Sequence, residues 1–197
     1  MKKICLMSVL SLGLLALSCS TENAKDSYED SPNVQFTIDE RTVPPLGKNE
    51  IVTCAETDLI AGQHYVAGQI YVTADESTVY ITYSTEDGWT LSETHLFAGN
   101  CDEIPQNGGG NPKIGRFPYK ATHSSGTNEV TYALDIDLLD DCFCVAAHAV
   151  VHNSSGGSET AWGEGESFPG RSWAMYSGFC IDGCTENDDG PSDDPTR

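Results

Sequence analysis

The chain has 197 residues, of which 39% are hydrophobic, and 30 Asp and Glu stand against 10 Lys and Arg, for a formal net charge of −20. That length fits one domain with extensions, and the apolar content suffices for a packed core, which argues against global disorder. Because phosphate groups are bound by clustered Lys and Arg, the charge argues against nucleic acid as a partner and against electrostatic docking on anionic membranes.

The first 18 residues have the pattern of an export signal. Lys2 and Lys3 precede an apolar stretch over residues 4–17, which is too short to cross a bilayer comfortably. The stretch ends in LALSC, with Cys19 directly after a small residue. This resembles a bacterial lipoprotein signal of the loose Bacteroidetes type, which implies that Cys19 is lipidated and becomes the first mature residue. The alternative is an ordinary cleaved signal, with Cys19 in a disulfide.

Residues 19–50 are expected to form an acidic, polar tether. Three prolines favour an extended chain there, and residues 22–30 carry four acidic side chains and one lysine. This stretch resembles the acidic tether of surface-exported lipoproteins of the Bacteroidetes type. The resemblance implies a lipid-anchored cell-envelope protein at the outer membrane and cell surface, with the membrane as its partner. The alternative is a solvated linker whose charge has no role in localisation.

Residues 51–184 have the pattern of an all-β domain. Aromatic and β-branched residues alternate with polar ones, and turn residues separate these runs. We find no amphipathic helix of ten or more residues. The pattern predicts an antiparallel β-sandwich, followed by a disordered acidic tail over residues 185–197. The predicted strands include residues 70–73, 79–83, 89–97, 130–137, 143–151 and 171–181.

Two of these segments carry further expectations. Residues 143–151 are apolar almost throughout, which predicts a strand that is buried on both faces. Residues 100–120 form a long connection rich in glycine and proline, and connections of this length are often binding loops.

The cysteine count indicates an oxidising compartment. Once Cys5 has left with the signal and Cys19 is lipidated, an even number of cysteines remains, which predicts up to three disulfides among 15 connectivities. Their spacings differ from those of zinc knuckles. The six cysteines are Cys54, Cys101, Cys142, Cys144, Cys180 and Cys184.

A polar cluster is the first candidate site. In a regular strand over residues 89–97, Glu93 and His95 would share a face with three large apolar residues. Burying them without partners would be costly, so we expect either a β-bulge or partners, with His148 as neighbour and Glu159 nearby. Such imidazoles and carboxylates would bind a zinc-like cation, or else form a hydrogen-bonded cluster that fixes the strand register.

An aromatic platform is the second candidate site. Trp89, Trp162 and Tyr119 would offer flat faces on which sugar rings stack, with Asp and Asn side chains beside them. The alternative is that these rings belong to the core, where sandwich folds usually hold their aromatic residues.

Several ordered motifs resemble a β-rich domain of secreted and surface-anchored bacterial proteins. The resemblance covers residues 54–181 and implies an extracellular location, but it implies no activity. The motifs are GWTLSETHL (88–96), GNPKIGRFPY (110–119), AAHAVV (146–151), ETAWG (159–163) and WAMY (173–176).

The sequence therefore favours a non-enzymatic binding or adhesion module, with a glycan or protein ligand and no cofactor. One alternative is a metal-binding protein or metal-dependent hydrolase that uses Glu93, His95 and His148. Another is a structural protein of the envelope.

Overall fold

The computed structural model describes residues 36–39 and 51–184. The signal, Cys19, most of the acidic segment and the tail from residue 185 onward lie outside the described residues, so the expectations for them stay predictions. In the described ranges, no helix is long and apolar enough to cross a membrane.

Strands and short 3-10 turns make up the regular structure of the described ranges, as the all-β prediction requires. The strands are β1 Phe36–Asp39, β2 Val52–Ala61, β3 Tyr65–Ala74, β4 Thr78–Thr85, β5 Thr90–Gly99, β6 Tyr119–Thr127, β7 Glu129–Asp135, β8 Cys142–His152, β9 Ser158–Gly163, β10 Glu166–Ser167 and β11 Met175–Cys180. The 3-10 turns are Cys101–Glu103, Ile114–Arg116, Ile136–Leu138 and Ile181–Gly183.

Six of the strands, β3, β4, β5, β7, β8 and β11, overlap the segments that the sequence pattern predicts. In β4, the buried residues Val79, Ile81 and Tyr83 alternate with the half-buried residues Tyr80 and Thr82. Branched and aromatic side chains fit such a pleated surface because one face packs while the other stays near water.

All strands join one antiparallel sheet, in which β1, β7, β4, β3, β2, β9 and β8 lie side by side. The other edge of β8 pairs with β5, which pairs with β6, and β11 extends the β9 side of β8. The sheet turns back on itself, since the Tyr83 hydroxyl donates to the His95 carbonyl at 3.1 Å and the Thr94 and Tyr132 hydroxyls lie 2.6 Å apart. The two layers expected of a sandwich are thus halves of one nearly closed sheet.

A main core fills the space between these halves. Its side chains come from alternate positions of strands in both halves, and their removal from water supplies the principal stabilisation of the fold. The fully buried residues include Leu59, Ile70, Ile81, Tyr83, Leu91, Leu96, Val130, Tyr132 and Leu134.

Strand β8 is also buried on its outer face. Residues 143–149 are all buried, as their continuous apolar run predicts. The outer face is covered by residues that lie between β5 and β6 and between β10 and β11. We call the resulting cluster the second core: it consists of Phe97, Ile104, Phe117, Cys144, Ala146, Trp162, Phe168 and Ala174.

Residues 100–118 form the main cover of the second core. The Asn107 side-chain oxygen accepts hydrogen bonds from the backbone N–H groups of Gly109 and Asn111, at 2.9 and 3.2 Å. The Asn111 side-chain oxygen in turn accepts from the Ser172 N–H at 2.9 Å. The connection predicted as a binding loop therefore packs as part of the fold.

Three disulfides staple the sheet, as the cysteine count predicts. The Cys54–Cys184 bond joins β2 to the chain just after β11 and closes a separation of 130 residues. The other two, Cys101–Cys144 and Cys142–Cys180, anchor the cover of the second core and link β8 to β11.

Three element boundaries differ from the expectation. Strand β7 ends at Asp135, and residues 136 and 137, predicted as its last two, belong to a 3-10 turn. Strand β1 lies inside the segment predicted as tether, where residues 36–39 pair with β7. The last strand begins at Met175, four residues later than predicted, because Ala174 is buried in the second core and the chain before it follows that cluster.

Candidate functional site

A β-bulge in β5 decides which side chains reach the outer face of the sheet. The pairing of β5 with both neighbours shifts between Leu91 and Glu93, and the Ser92 hydroxyl donates to a backbone carbonyl of β8 at 3.1 Å. The extra residue reverses the alternation, so that Leu91 is in the main core whereas His95 and Phe97 lie on the opposite face. The bulge that the polar residues of this strand predicted is present.

Four side chains form a row across the outer face of neighbouring strands. Lys120, His95, His148 and Trp162 are successive cross-strand partners on β6, β5, β8 and β9. The Nδ1 atoms of the two histidines lie 3.4 Å apart, and the ring centroids of His148 and Trp162 lie 4.9 Å apart. The predicted neighbourhood of His95 and His148 is therefore found, at the border of the second core.

Both imidazoles are disposed to be neutral near pH 7. Burial, together with a smaller effect of the neighbouring His95, lowers the pKa of His148 from 6.5 to about 4. Partial burial also lowers the pKa of His95; Glu93 opposes this shift, whereas Lys120 adds to it. With both rings neutral, one Nδ1 can donate to the other, and the pair is satisfied as a polar contact between two strands.

The predicted four-residue cluster is not assembled. Glu93 and His95 border a shallow depression of about 340 Å³, but Glu159 is exposed and its carboxylate lies next to Gly62 at the β2–β3 turn. Within residues 36–39 and 51–184, no group of three or more His, Cys, Asp and Glu side chains is placed to hold a metal ion. The two histidines form a polar contact between β5 and β8, and a role of this contact in fixing the strand register stays a prediction.

The predicted aromatic platform needs correction, because its three side chains are interior. Trp89, Tyr119 and Trp162 are 8%, 5% and 3% exposed. Trp162 packs edge-on against Phe117 and Phe168 in the second core. The cover over β8 and β9 buries Trp162, which fits the alternative that these rings belong to the core.

A groove on the outer surface is a further candidate site. It has a volume of about 360 Å³ and runs between the tip of the β2–β3 hairpin and the chain from the end of β9 to the start of β11. Its apolar lining is Ile60, Trp173 and Met175, and its polar lining is Gln63, His64, Glu164 and Ser167. An apolar surface with a few convergent polar groups is the usual composition of a small-ligand site.

Both walls of the groove are fixed by hydrogen bonds. The hairpin tip is closed by a bond from the His64 N–H to the Ala61 carbonyl at 3.1 Å. On the opposite wall, the Glu164 carbonyl accepts from the hydroxyls of Thr57 and Ser177, each at 2.8 Å. The polar groups are thus presented from positioned backbone, which reduces the ordering cost of binding.

The hairpin tip contains an unusual backbone conformation. Gly62 and Gln63 have φ values of 54° and 70°, the two positive values of a type I′ turn. Glycine is the favoured second residue of such a turn, and a glutamine there is strained. Gln63 was not predicted as a site residue, although the non-glycine residue after Gly62 was an available signal.

Comparison of the chain with protein-family models, with curated proteins and with solved structures finds no match.

Proposed function

We propose that this protein is a lipid-anchored cell-envelope protein, displayed at the outer membrane and cell surface, whose β domain is a non-enzymatic binding module. The domain would be held at the membrane by acyl chains on Cys19 and would present its outer groove to ligands. The observation that carries the binding role is this groove, which combines an apolar floor with hydrogen-bonding groups on fixed backbone.

The disulfides support the anchor. The six cysteines of the domain pair with one another, so none of them is left as a partner for Cys19. Cys19 directly follows the apolar segment of the export signal, at the place where a lipoprotein carries its acylated residue. Acylation at this position would supply a stable membrane anchor.

The disulfides also support an exported location. Such bonds form and persist in oxidising compartments and are rare in the cytosol. A fold that uses all six domain cysteines in three bonds suits a protein that works outside the reducing interior of the cell.

Substitution of Cys19 tests the anchor. Cys19→Ser should move the protein from the membrane fraction to the soluble fraction, because the acyl chains are the proposed attachment. Cys5→Ser is the matched control, since Cys5 lies within the signal and should leave the membrane association unchanged. Retention of Cys19→Ser in the membrane fraction would refute the lipid anchor, and protease accessibility on intact cells tests surface display.

Chelation separates the binding module from the metal-dependent alternative. A catalytic zinc needs three protein ligands, whereas the outer face brings two histidines together. We expect the melting temperature of purified protein to be the same with and without EDTA. A fall in melting temperature with EDTA, restored by zinc, would favour the metal-binding alternative.

A further inference from the structure

The groove between the β2–β3 tip and β10 has a composition that points to one class of ligand. We infer that it is a saccharide site, in which a neutral pyranose stacks on Trp173 and its hydroxyl groups bond to Gln63 and Ser167. This inference rests on the proposed binding function and names the ligand and its place.

Trp173 supplies the flat apolar surface. It is partly buried, and it packs against the second core while it lines the groove. The C–H groups on one face of a pyranose ring are weakly polar and pack on the electron-rich face of an aromatic ring. A ring held by the core needs little ordering when a sugar binds, which favours affinity.

An exposed apolar side chain lies beside the lining of the groove. Ile60 lies on the floor, and its cross-strand partner Val66 is 52% exposed and shares the same face. An exposed branched side chain next to Ile60 would offer a contact for a second sugar ring. The groove therefore suits a polysaccharide segment better than a free monosaccharide.

The rim supplies hydrogen bonds in the pattern that a sugar requires. Gln63 and Ser167 each present groups that donate and accept, and Glu164 presents an acceptor. Sugar hydroxyls likewise donate and accept, so they can pair with all three. These three residues are exposed, so water satisfies them in the empty groove, and a purely apolar ligand would displace that water without replacing its hydrogen bonds.

Charge selects neutral sugars over acidic ones. Among the described residues that line the groove, none is Lys or Arg, while Glu164 is acidic. The chain as a whole has a net charge of −20. Uronic and sialic acids would be repelled by this field, whereas neutral hexoses and pentoses carry no such penalty.

The strained backbone at Gln63 supports a role of its side chain in ligand binding. A glycine at this position would relieve the left-handed conformation, yet the chain carries a glutamine whose side chain reaches the groove. Strain that persists at a ligand site is typical of a residue kept for its side chain.

Binding to a polysaccharide panel tests the inference. The full-length protein in detergent is applied to neutral glucans, mannans and xylans and to the acidic polymers polygalacturonate and hyaluronan. We expect binding to at least one neutral polymer and to neither acidic one. Trp173→Ala should then weaken binding about tenfold or more, through the loss of the stacked ring.

The variant Gln63→Gly distinguishes the loss of a ligand contact from a loss of folding. This variant should weaken binding about fivefold, the value of one hydrogen bond, while its melting temperature rises by about 2–4 °C. Asp87→Gly is the matched control, because Asp87 has a φ of 53° in the β4–β5 turn and lies outside the groove. It should leave binding unchanged.

The outcomes distinguish the inference from the proposed function. Binding to a neutral polymer that both groove variants leave unchanged would refute this site and leave the binding module standing. Binding to the acidic polymers alone would refute the ligand class. An absence of binding to every polymer would refute the saccharide inference, and a protein ligand captured at the cell surface would then decide the broader function.

Discussion

His148 is a buried imidazole between two aromatic neighbours on adjacent strands. Its ring faces Trp162 on one side and His95 on the other, and it is 4% exposed. A positive charge in this position would be poorly solvated and would lie close to a second imidazole. The residue therefore couples the stability of the domain to pH.

We expect the free energy of unfolding to fall as the pH is lowered from 6.5 towards 4. The pKa of His148 is about 4 in the folded protein, against an ordinary value of 6.5. The unfolded chain thus binds more protons within this window. The stabilisation that depends on a neutral His148 is fully present above pH 6.5. It is lost as the pH falls, by up to about 1.4 kcal/mol per pH unit. Denaturant titrations across this range measure the slope.

Two variants isolate the contribution of His148. His148→Gln keeps a polar side chain but cannot titrate, so it should flatten the slope of unfolding free energy against pH. His152→Gln changes an exposed histidine of the same strand and should leave the slope as in the wild type. Equal slopes for wild type and His148→Gln would contradict the argument.

At the scale of single elements, local pattern predicted most strands because each strand of the main core has one buried face. The bulge in β5 could also be predicted from the sequence, since Glu93 and His95 would otherwise interrupt an apolar face. The cover of the second core could not be predicted from the sequence, because residues 100–118 have no periodicity and their packing depends on contacts with residues 168–174. The burial of Trp162 follows from that cover and could not be read from its neighbours.

Glycine substitutions in the cover test how tightly it is fixed. Gly110 has a φ of 77°, and a Cβ there would lie 2.9 Å from the backbone N of Gly170. Gly110→Ala should therefore lower the free energy of unfolding by about 1–3 kcal/mol. Urea denaturation of both proteins provides the measurement.

A neighbouring glycine provides the matched control. Gly108 has no heavy atom within 4 Å of a built Cβ and does not have a positive φ. Gly108→Ala should change the free energy of unfolding by no more than about 0.5 kcal/mol. If the two variants were equally stable, the close contact between the covering segments would be refuted.

At the scale of the whole molecule, the disulfides join regions that the sequence leaves far apart. The cysteine count predicted three bonds but not their partners, because connectivity depends on which strands lie next to each other. The groove likewise could not be predicted from the sequence, since its lining comes from the β2–β3 tip and from residues 164–175. Neither segment has a recognisable motif for binding.

Removal of an individual disulfide should destabilise the domain more when the bond closes a longer stretch of chain, with a logarithmic dependence on its length. The double variant Cys54→Ser/Cys184→Ser opens a separation of 130 residues and should lose about 3–5 kcal/mol. Cys142→Ser/Cys180→Ser opens 38 residues and should lose less. Thermal denaturation compares them, and the reverse order would contradict the entropic account.

The intact mass of the protein isolated from the membrane fraction tests the central claim most directly. We predict a chain that begins at Cys19, carries acyl groups on that residue, and has two hydrogens fewer for each of three disulfides. Reduction should add those hydrogens and leave the acyl mass in place. A chain that begins at another residue, or an unmodified Cys19, would contradict the lipid-anchored envelope protein.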